Sequence, residues 1–282
     1  MTASAGAVET PSGKGAGDEN FPVGSFLIAR PLRPHVAAYY AFARAIDDIA
    51  DNPELAPEEK LKRLNAMDRA LGEDTADPEL AKAQGLRRSL LATGVDFAHA
   101  RDLVAAFRQD AVKGRYDDWA DLMGYCDRSA APVGRFLLEL HGEDRRHFPC
   151  SDALCNALQV INHLQDCADD YRNLDRVYLP LQWLSDEGET VEALARPHAS
   201  RGLRRVLDRC LAHTGELMAQ ADRLPGVLKS RRLAMESAII VTVAHKLITE
   251  LARRDPLAER VELTRMQFLA CGVRGVAGGF FA

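Results

Sequence analysis

Residues 36–51 read VAAYYAFARAIDDIAD, an apolar run that acquires three aspartates as it approaches Pro53. In a helix, Asp47 and Asp51 lie on one face because they are four residues apart, and Arg44 lies one turn earlier on that face. The helix is expected to end just before Pro53, because a residue that precedes proline disfavours the helical conformation. The stretch therefore predicts an amphipathic helix with a carboxylate pair at its C-terminal end.

Three carboxylates at a helix C-terminus are unfavourable, because the helix dipole is negative there and cations are preferred. A bound divalent cation would offset this cost. Mg²⁺ typically takes one or two protein carboxylates and completes its shell with water and substrate phosphate oxygens. A solvated acidic helix end explains the same residues equally well, so this stretch alone leaves both interpretations open.

A second stretch, residues 159–170, reads QVINHLQDCADD and repeats the arrangement. Asp166 and Asp170 are again four residues apart, and Asn162 and Gln159 fall on the same helical stripe. This helix is also expected to end in its acidic residues. Two acidic helix ends with the same spacing favour two halves of one metal site over two unrelated surface patches.

Composition and charge are those of an ordinary globular protein. Of 282 residues, 47% are hydrophobic and 27% are charged, with a formal net charge of −5. The negative charge argues against nucleic acid as a partner. Six cysteines without a Cys-x-x-Cys pair are expected to be reduced thiols in a cytoplasmic protein.

The sequence shows none of the usual signals of a membrane-inserted protein. No signal peptide opens the chain, and no apolar run reaches the roughly 18 residues of a membrane-spanning helix. No basic amphipathic helix is recognised, and peripheral contact with the inner membrane surface is left open.

Helical spacing of apolar residues recurs along most of the chain, without a convincing run of alternating β-branched residues. Residues 1–18 are small, polar and glycine-rich, and are predicted to form a disordered tail. The sequence predicts one all-α domain over residues 19–282. Its apolar helix faces suit a packed core, which is the simpler interpretation for most positions, or a pocket for a long hydrocarbon.

Polar and aromatic residues near the acidic motifs extend the candidate site. Asn162 and Gln159 lie on an otherwise apolar face, and a metal–diphosphate site or an interhelical hydrogen bond would satisfy them. Tyr125 and Tyr178 would suit a pocket for a carbocation, which their ring faces attract, although tyrosine is more often core. His163 points away from Asn162 and is interpreted as structural. The chain has no Glu-x-x-His pair of a di-iron bundle, no Walker loop and no dinucleotide-binding glycine motif.

These segments together resemble the squalene and phytoene synthase family. The similarity is strongest over residues 39–51, 108–134 and 159–180. It implies a single-domain isoprenoid synthase fold, an all-α helical bundle around a central apolar cavity. It also implies that two aspartate-rich motifs on facing helices bind roughly two or three Mg²⁺ ions and the diphosphate of an isoprenoid substrate. Oligomeric state is left open.

The resemblance assigns roles to individual residues. Asp47 and Asp51 match the first motif, and Asp166 and Asp170 match the second. The implied metal ligands are these four aspartates and Asn162. The other implied site residues are Arg44 and Gln159 at the diphosphate, Tyr125 and Tyr178 near the reacting carbons, Phe21 near the first substrate's contacts, and Gln165 beside the second motif.

Gln165 departs from the family pattern, because most members have arginine immediately before the first aspartate of the second motif. Without that cation, the usual condensation of two prenyl diphosphates is disfavoured. The forms NFPV at 20–23, DDIAD at 47–51 and NHLQD at 162–166 are most similar to family members that use water. Those members ionise presqualene diphosphate, rearrange the cyclopropylcarbinyl cation and capture it with water, so no nicotinamide cofactor is expected.

Two alternatives remain after the resemblance. The nearer is another family activity, in which two prenyl diphosphates are condensed to presqualene diphosphate, squalene or phytoene. The more distant is a non-catalytic helical relative that binds lipid or stabilises a partner. A broken aspartate motif would indicate that relative, and both motifs here are intact.

Overall fold

The computed structural model describes Val8 and residues 27–281. Phe21 lies outside the described residues, as does the predicted tail apart from Val8. The described residues form thirteen α-helices joined by short 3₁₀ turns and loops, and their one β-type contact is an isolated bridge. The all-α prediction is confirmed. Two compact units divide after Lys113, and the assignment of residues 19–282 to one domain stays a prediction.

The part of the first unit that the structure describes contains four α-helices. They are α1 (Arg33–Asp51), α2 (Pro57–Gly72), α3 (Ala81–Thr93) and α4 (Ala98–Asp110). Helix α1 ends where the sequence predicts, and it contacts the other three helices. Its apolar face is fully buried at Phe42, Ile46 and Ile49. Burial of this face leaves Asp47 and Asp51 on a partly exposed side of α1, whereas Asp48 is buried.

The second unit contains nine helices within its described residues. They are α5 (Trp119–Ser129), α6 (Ala131–Leu140), α7 (Phe148–Gln165), α8 (Cys167–Leu174), α9 (Leu181–Asp186), α10 (Arg201–Ala221), α11 (Leu224–Val227), α12 (Arg231–Leu251) and α13 (Arg265–Phe281). Helix α7 is the central element, because it contacts α5, α6, α8, α10 and α12. The second acidic motif begins at the end of this central helix.

Close packing of α6 on α7 depends on a glycine. A Cβ atom at Gly134 would lie 2.7 Å from Cys155 Sγ, closer than real Cβ atoms approach such a neighbour.

The six cysteines are free thiols, and burial raises the pKa of Cys155 and Cys167 to about 12. None of the helices in the described part of the chain is long and apolar enough to cross a membrane.

Candidate active site

The first acidic motif occupies the C-terminal end of α1, where Arg44 binds two of its carboxylates. Arg44 Nη1 lies 2.9 Å from Asp47 Oδ2. Arg44 Nε and Nη2 donate to Asp48 Oδ1 at 3.0 and 2.8 Å. The Asp48 side chain is only 5% exposed, against 27% for Asp47. Asp48 therefore holds the guanidinium from the buried side, and Asp47 meets it at the more accessible edge.

A second cation lies at the same helix end. Lys60 of α2 donates from Nζ to the carbonyl oxygen of Ala50 at 2.7 Å. This contact puts positive charge at the negative end of the α1 dipole, where it is favourable. Arg44 and Lys60 together supply the cations that the acidic helix end was predicted to need. The stability of α1 therefore does not require a metal.

The second acidic motif spans a break between two helices. Helix α7 ends at Gln165, Asp166 has φ −102° and ψ 7°, and α8 begins at Cys167. The Asp166 amide donates to Asn162 O at 2.9 Å, and the Asp170 amide donates to Asp166 O at 2.8 Å. The predicted spacing is therefore kept through the break, but the prediction of one continuous helix is wrong.

The break changes the electrostatics of this motif. Asp166 is the N-cap of α8 and Asp170 lies in its first turn. Carboxylates are favourable at a helix N-terminus, where the dipole is positive. The expectation of a helix that ends in its acidic residues is thus wrong for the second motif. Its aspartates begin a short helix that runs on to Leu174.

The predicted metal ligands have the chemistry that Mg²⁺ requires. All five, Asp47, Asp51, Asn162, Asp166 and Asp170, carry side-chain oxygens and are partly exposed. Among the residues that the structure describes, no three His, Cys, Asp or Glu side chains converge as a ready-made metal site. This donor set fits Mg²⁺, which is usually bound through one or two carboxylates together with substrate phosphate rather than in an all-protein cage.

Three tyrosine rings form a buried cluster in the second unit. Tyr178 lies 5.5 Å from both Tyr116 and Tyr125 between ring centroids, and Tyr116 lies 5.3 Å from Tyr125. The three residues are at most 8% exposed. The structure therefore brings the two predicted tyrosines together and adds Tyr116, which sequence analysis did not predict as part of this cluster.

Backbone pairing explains how Tyr116 reaches the cluster. The Val177 amide donates to Gly114 O at 2.8 Å, and the Leu181 amide donates to Tyr116 O at 2.9 Å. A Cβ atom at Gly114 would lie 2.7 Å from Asp175 O, so the two segments approach closely only because Gly114 has no side chain. This pairing of segments about 60 residues apart has no signal in local periodicity.

His163 joins the tyrosine cluster from α7. Its ring stacks on Tyr178 with 3.6 Å between centroids, and within the described part of the chain its Nε2 atom has no hydrogen-bond partner. Burial, with a smaller contribution from Arg176, lowers the pKa of His163 to about 3. The imidazole is therefore neutral at physiological pH. Sequence analysis interprets His163 as structural, but its spacing, four residues after Gln159 and three before Asp166, is the signal that could have placed it beside the candidate face.

Gln165 is the last residue of α7. Its side chain is buried, and Nε2 donates to the carbonyl oxygen of Val261 at 2.6 Å. This contact ties the end of α7 to the segment that precedes α13. The structure thus gives Gln165 a packing role, and its predicted contact with substrate stays a prediction.

Comparison with known proteins decides the family. The squalene/phytoene synthase family model matches residues 15–267. The chain belongs to the squalene/phytoene synthase family. Among curated relatives, the hydroxysqualene synthase of Zymomonas mobilis is 42% identical, over 96% of this chain and 91% of the relative. That of Rhodopseudomonas palustris is 42% identical, over 93% and 89%.

Solved structures agree with this family assignment. The squalene synthase HpnC from Alicyclobacillus acidocaldarius aligns with a TM-score of 0.72 and 31% identity, covering 82% of this chain and 87% of that one. A dehydrosqualene synthase in complex with a ligand aligns with a TM-score of 0.78 over 94% and 93% of the two chains. At 19% identity, the latter similarity bears on the fold alone. The isoprenoid synthase fold that the sequence predicted is therefore confirmed.

Proposed function

We propose that the protein is a hydroxysqualene synthase, which converts presqualene diphosphate and water to hydroxysqualene and diphosphate in hopanoid and squalene biosynthesis. The observation that carries this proposal is the 42% identity to a hydroxysqualene synthase over 96% of the chain. Both Asp-x-x-x-Asp motifs are intact. Intact motifs count against a non-catalytic role, because such a role would place no demand on paired carboxylates.

We propose that the reaction requires Mg²⁺, in roughly two or three ions, and no nicotinamide cofactor. Asp47 and Asp51 would hold Mg²⁺ in the first motif, and Asp166, Asp170 and Asn162 would hold it in the second. When bound, the metal neutralises negative charge on the diphosphate and makes it a better leaving group. Gln159, partly exposed one turn before Asn162, is proposed to support the diphosphate.

Arg44 is proposed to bind the diphosphate as well. Its contact with the buried Asp48 fixes the guanidinium, and its Nη1 atom faces the more exposed Asp47. A phosphate oxygen that displaced Asp47 from Nη1 would gain a charge-assisted hydrogen bond. Asp47 would then be available to a metal ion. The Asp47 carboxylate would thus exchange its contact with Arg44 for a contact with the metal, without any movement of α1.

The tyrosine cluster is proposed to face the carbocation. The faces of aromatic rings attract positive charge, and Tyr125 and Tyr178 present such rings in a buried setting. A neutral His163 is compatible with a nearby cation, whereas an imidazolium would repel it. The depressed pKa of His163 thus suits this chemistry. Burial also limits access of bulk water to the carbocation. Capture by one positioned water would then be favoured over unselective reaction with solvent.

A second candidate is squalene synthesis from the same intermediate. One observation favours it, the 31% identity to a solved structure described as a squalene synthase. The two activities differ in the final step, because squalene requires hydride delivery and hydroxysqualene requires water. The choice between them can therefore be made from the product alone.

The deciding experiment supplies purified protein with presqualene diphosphate and Mg²⁺, without NADPH, and identifies the product by mass spectrometry. We expect hydroxysqualene, with its hydroxyl oxygen labelled when the reaction is run in H₂¹⁸O. Parallel reactions with farnesyl diphosphate, geranylgeranyl diphosphate, or presqualene diphosphate plus NADPH test the other family activities. No turnover of presqualene diphosphate, together with its formation from farnesyl diphosphate, would contradict the proposal.

The proposed substrate and product both carry long hydrocarbon chains, which are insoluble in water. We therefore propose that the enzyme works in the cytoplasm in peripheral contact with a membrane surface. A membrane would serve as the reservoir from which substrate is taken and to which product returns.

A further inference from the structure

Helix α13 carries a stripe of exposed apolar side chains. Met266, Leu269 and Val273 are 76%, 63% and 65% exposed. Their spacing of three and four residues puts them on one face of the helix, and we call them the α13 stripe. Phe268, 38% exposed, lies nearby in the sequence. Half of the eight exposed large hydrophobic side chains in the described residues fall within this one short segment, so the exposure is clustered rather than scattered.

Packing against α12 fixes the outward direction of the stripe. Cys271 and Gly275 are buried on the opposite face of α13. A Cβ atom at Gly275 would lie 2.6 Å from the Cα atom of Ile239 in α12, so the two helices are in backbone contact there. At the other end, Gln267 Nε2 donates to Glu250 Oε1 at 3.2 Å. The α13 stripe therefore faces away from the body of the second unit.

The stripe is flanked by positive charge. Arg265 and Arg274 are both exposed, and helical geometry places one on each side of the stripe. Residues 265–282 contain no aspartate or glutamate, although the whole chain has a net charge of −5. The acids closest to α13 along the chain are already engaged, since Glu262 lies 2.6 Å from Arg260 and Glu259 lies 2.8 Å from Arg254. Glu250, which accepts from Gln267, lies 2.6 Å from Lys246. An apolar face with basic edges is the pattern of helices that lie in a membrane interface.

A basic pocket lies at the C-terminal end of α12. It has a volume of about 450 Å³, and five arginines contribute to its walls: Arg201, Arg204, Arg205, Arg253 and Arg254. Asp255 is its one acidic wall residue, and its carboxylate accepts the backbone amides of Ala199 and Leu257 at 2.8 and 3.0 Å. Arginine guanidinium groups match the geometry of phosphate. Three of these arginines already pair with acids, Arg204 with Asp208, Arg205 with Glu187 and Arg254 with Glu259. The pocket therefore adds positive charge near the segment that leads into α13, rather than a ready phosphate site.

We propose that the α13 stripe and its flanking arginines dock the protein on an anionic lipid bilayer. The apolar side chains enter the boundary between head groups and acyl chains, and the arginines contact lipid phosphates. The inference rests on the proposed function, because an enzyme of C30 hydrocarbons needs access to a membrane. A second copy of the chain is a poorer occupant, because pairing two stripes would bring four arginines together without an acid from either α13.

The test measures vesicle binding by the full-length protein, without substrate. We expect co-sedimentation with mixed phosphatidylcholine–phosphatidylglycerol vesicles, and weaker binding to pure phosphatidylcholine and at high salt. Leu269→Glu should lower partitioning by at least about 10-fold. Arg265→Gln with Arg274→Gln should lower binding to the anionic vesicles by about five-fold for each arginine. Leu91→Glu is the matched control, since Leu91 is 61% exposed in α3.

The outcomes separate this inference from the proposed function. The proposed docking surface would be wrong if the wild-type protein did not bind anionic vesicles, or if Leu269→Glu protein bound them as well as wild type. A dimer in solution that Leu269→Glu dissociates would also overturn it, in favour of self-association. Turnover of presqualene diphosphate in detergent does not require a bilayer, so it should be the same in Leu269→Glu and wild-type protein and reports on the proposed function alone.

Discussion

The imidazole ring of His163 stacks on the phenol ring of Tyr178, with 3.6 Å between ring centroids and 10° between ring planes. The contact joins the central helix α7 to the segment that follows α8. Both residues are 8% exposed, so the stacked pair is buried. Because the pair links the second acidic motif to the tyrosine cluster, changes at His163 should report on both stability and chemistry.

Replacing His163 with phenylalanine should make stability less sensitive to acid. The pKa of His163 is lowered to about 3 in the folded protein, against 6.5 ordinarily. Between these values the unfolded chain binds a proton that the folded chain does not. Stability is therefore fully present above pH 6.5 and falls as the pH drops towards 3. From pH 7.5 to 4.5 the histidine should contribute a loss of about 2–3 kcal/mol.

Urea denaturation at pH 7.5 and 4.5 measures this contribution as a difference between variants. Carboxylates also titrate in this range, so the wild-type loss must be compared with the loss in His163→Phe. Exchange of the exposed His198 for glutamine is the control for a histidine outside the buried ring cluster. Equal acid sensitivity in wild-type and His163→Phe protein would show that the buried ring is protonated without cost.

Removing one motif carboxylate should abolish turnover and leave the fold intact. Asp47→Ala and Asp170→Ala should each lower the rate with presqualene diphosphate by at least about 100-fold, because a metal ligand is lost. Both side chains are partly exposed, so the free energy of unfolding should change by less than about 1 kcal/mol. Asp169→Ala, one residue from Asp170 and exposed, is the matched control. Full activity in either motif variant would remove the argument for a metal site.

Loss of the Asp48 carboxylate should lower the free energy of unfolding, whereas loss of the Asp47 carboxylate should mainly lower turnover. Asp48 is nearly buried and accepts two hydrogen bonds from Arg44. Asp48→Ala would leave the guanidinium without its main partner, and should destabilise the protein by about 2 kcal/mol in urea denaturation. Asp47→Ala provides the comparison. A smaller loss for Asp48→Ala than for Asp47→Ala would mean that Arg44 is not held from its buried side.

An arginine at position 165 tests the two interpretations of Gln165. If the residue is chiefly a packing contact with Val261, Gln165→Arg should destabilise the protein by about 2–3 kcal/mol, because a charge enters a buried site. It should not create condensation of farnesyl diphosphate. Gln165→Leu controls for the lost hydrogen bond. Presqualene diphosphate formed from farnesyl diphosphate by the arginine variant would instead support the interpretation based on a missing cation.

The sequence was sufficient wherever the deciding forces act over a few residues. The end of α1 followed from helical spacing and from the steric effect of Pro53, and the structure ends the helix at Asp51. The all-α fold followed from apolar periodicity. Asp166 and Asp170 kept their predicted helical spacing because the Asp170 amide donates to Asp166 O in the first turn of α8. These features depend on residues that are close together in the chain, so the sequence determines them directly.

Tertiary structure decided what depends on distant partners. Tyr116 meets Tyr178 because the backbone of residues 114–116 pairs with that of residues 177–181. Gln165 turns towards Val261, 96 residues away, and the outward face of α13 is set by the contact of Gly275 with α12. Periodicity shows that a helix has an apolar face, but only packing determines which neighbour covers that face. Where no neighbour in the described chain does, as along the α13 stripe, an exposed apolar surface remains.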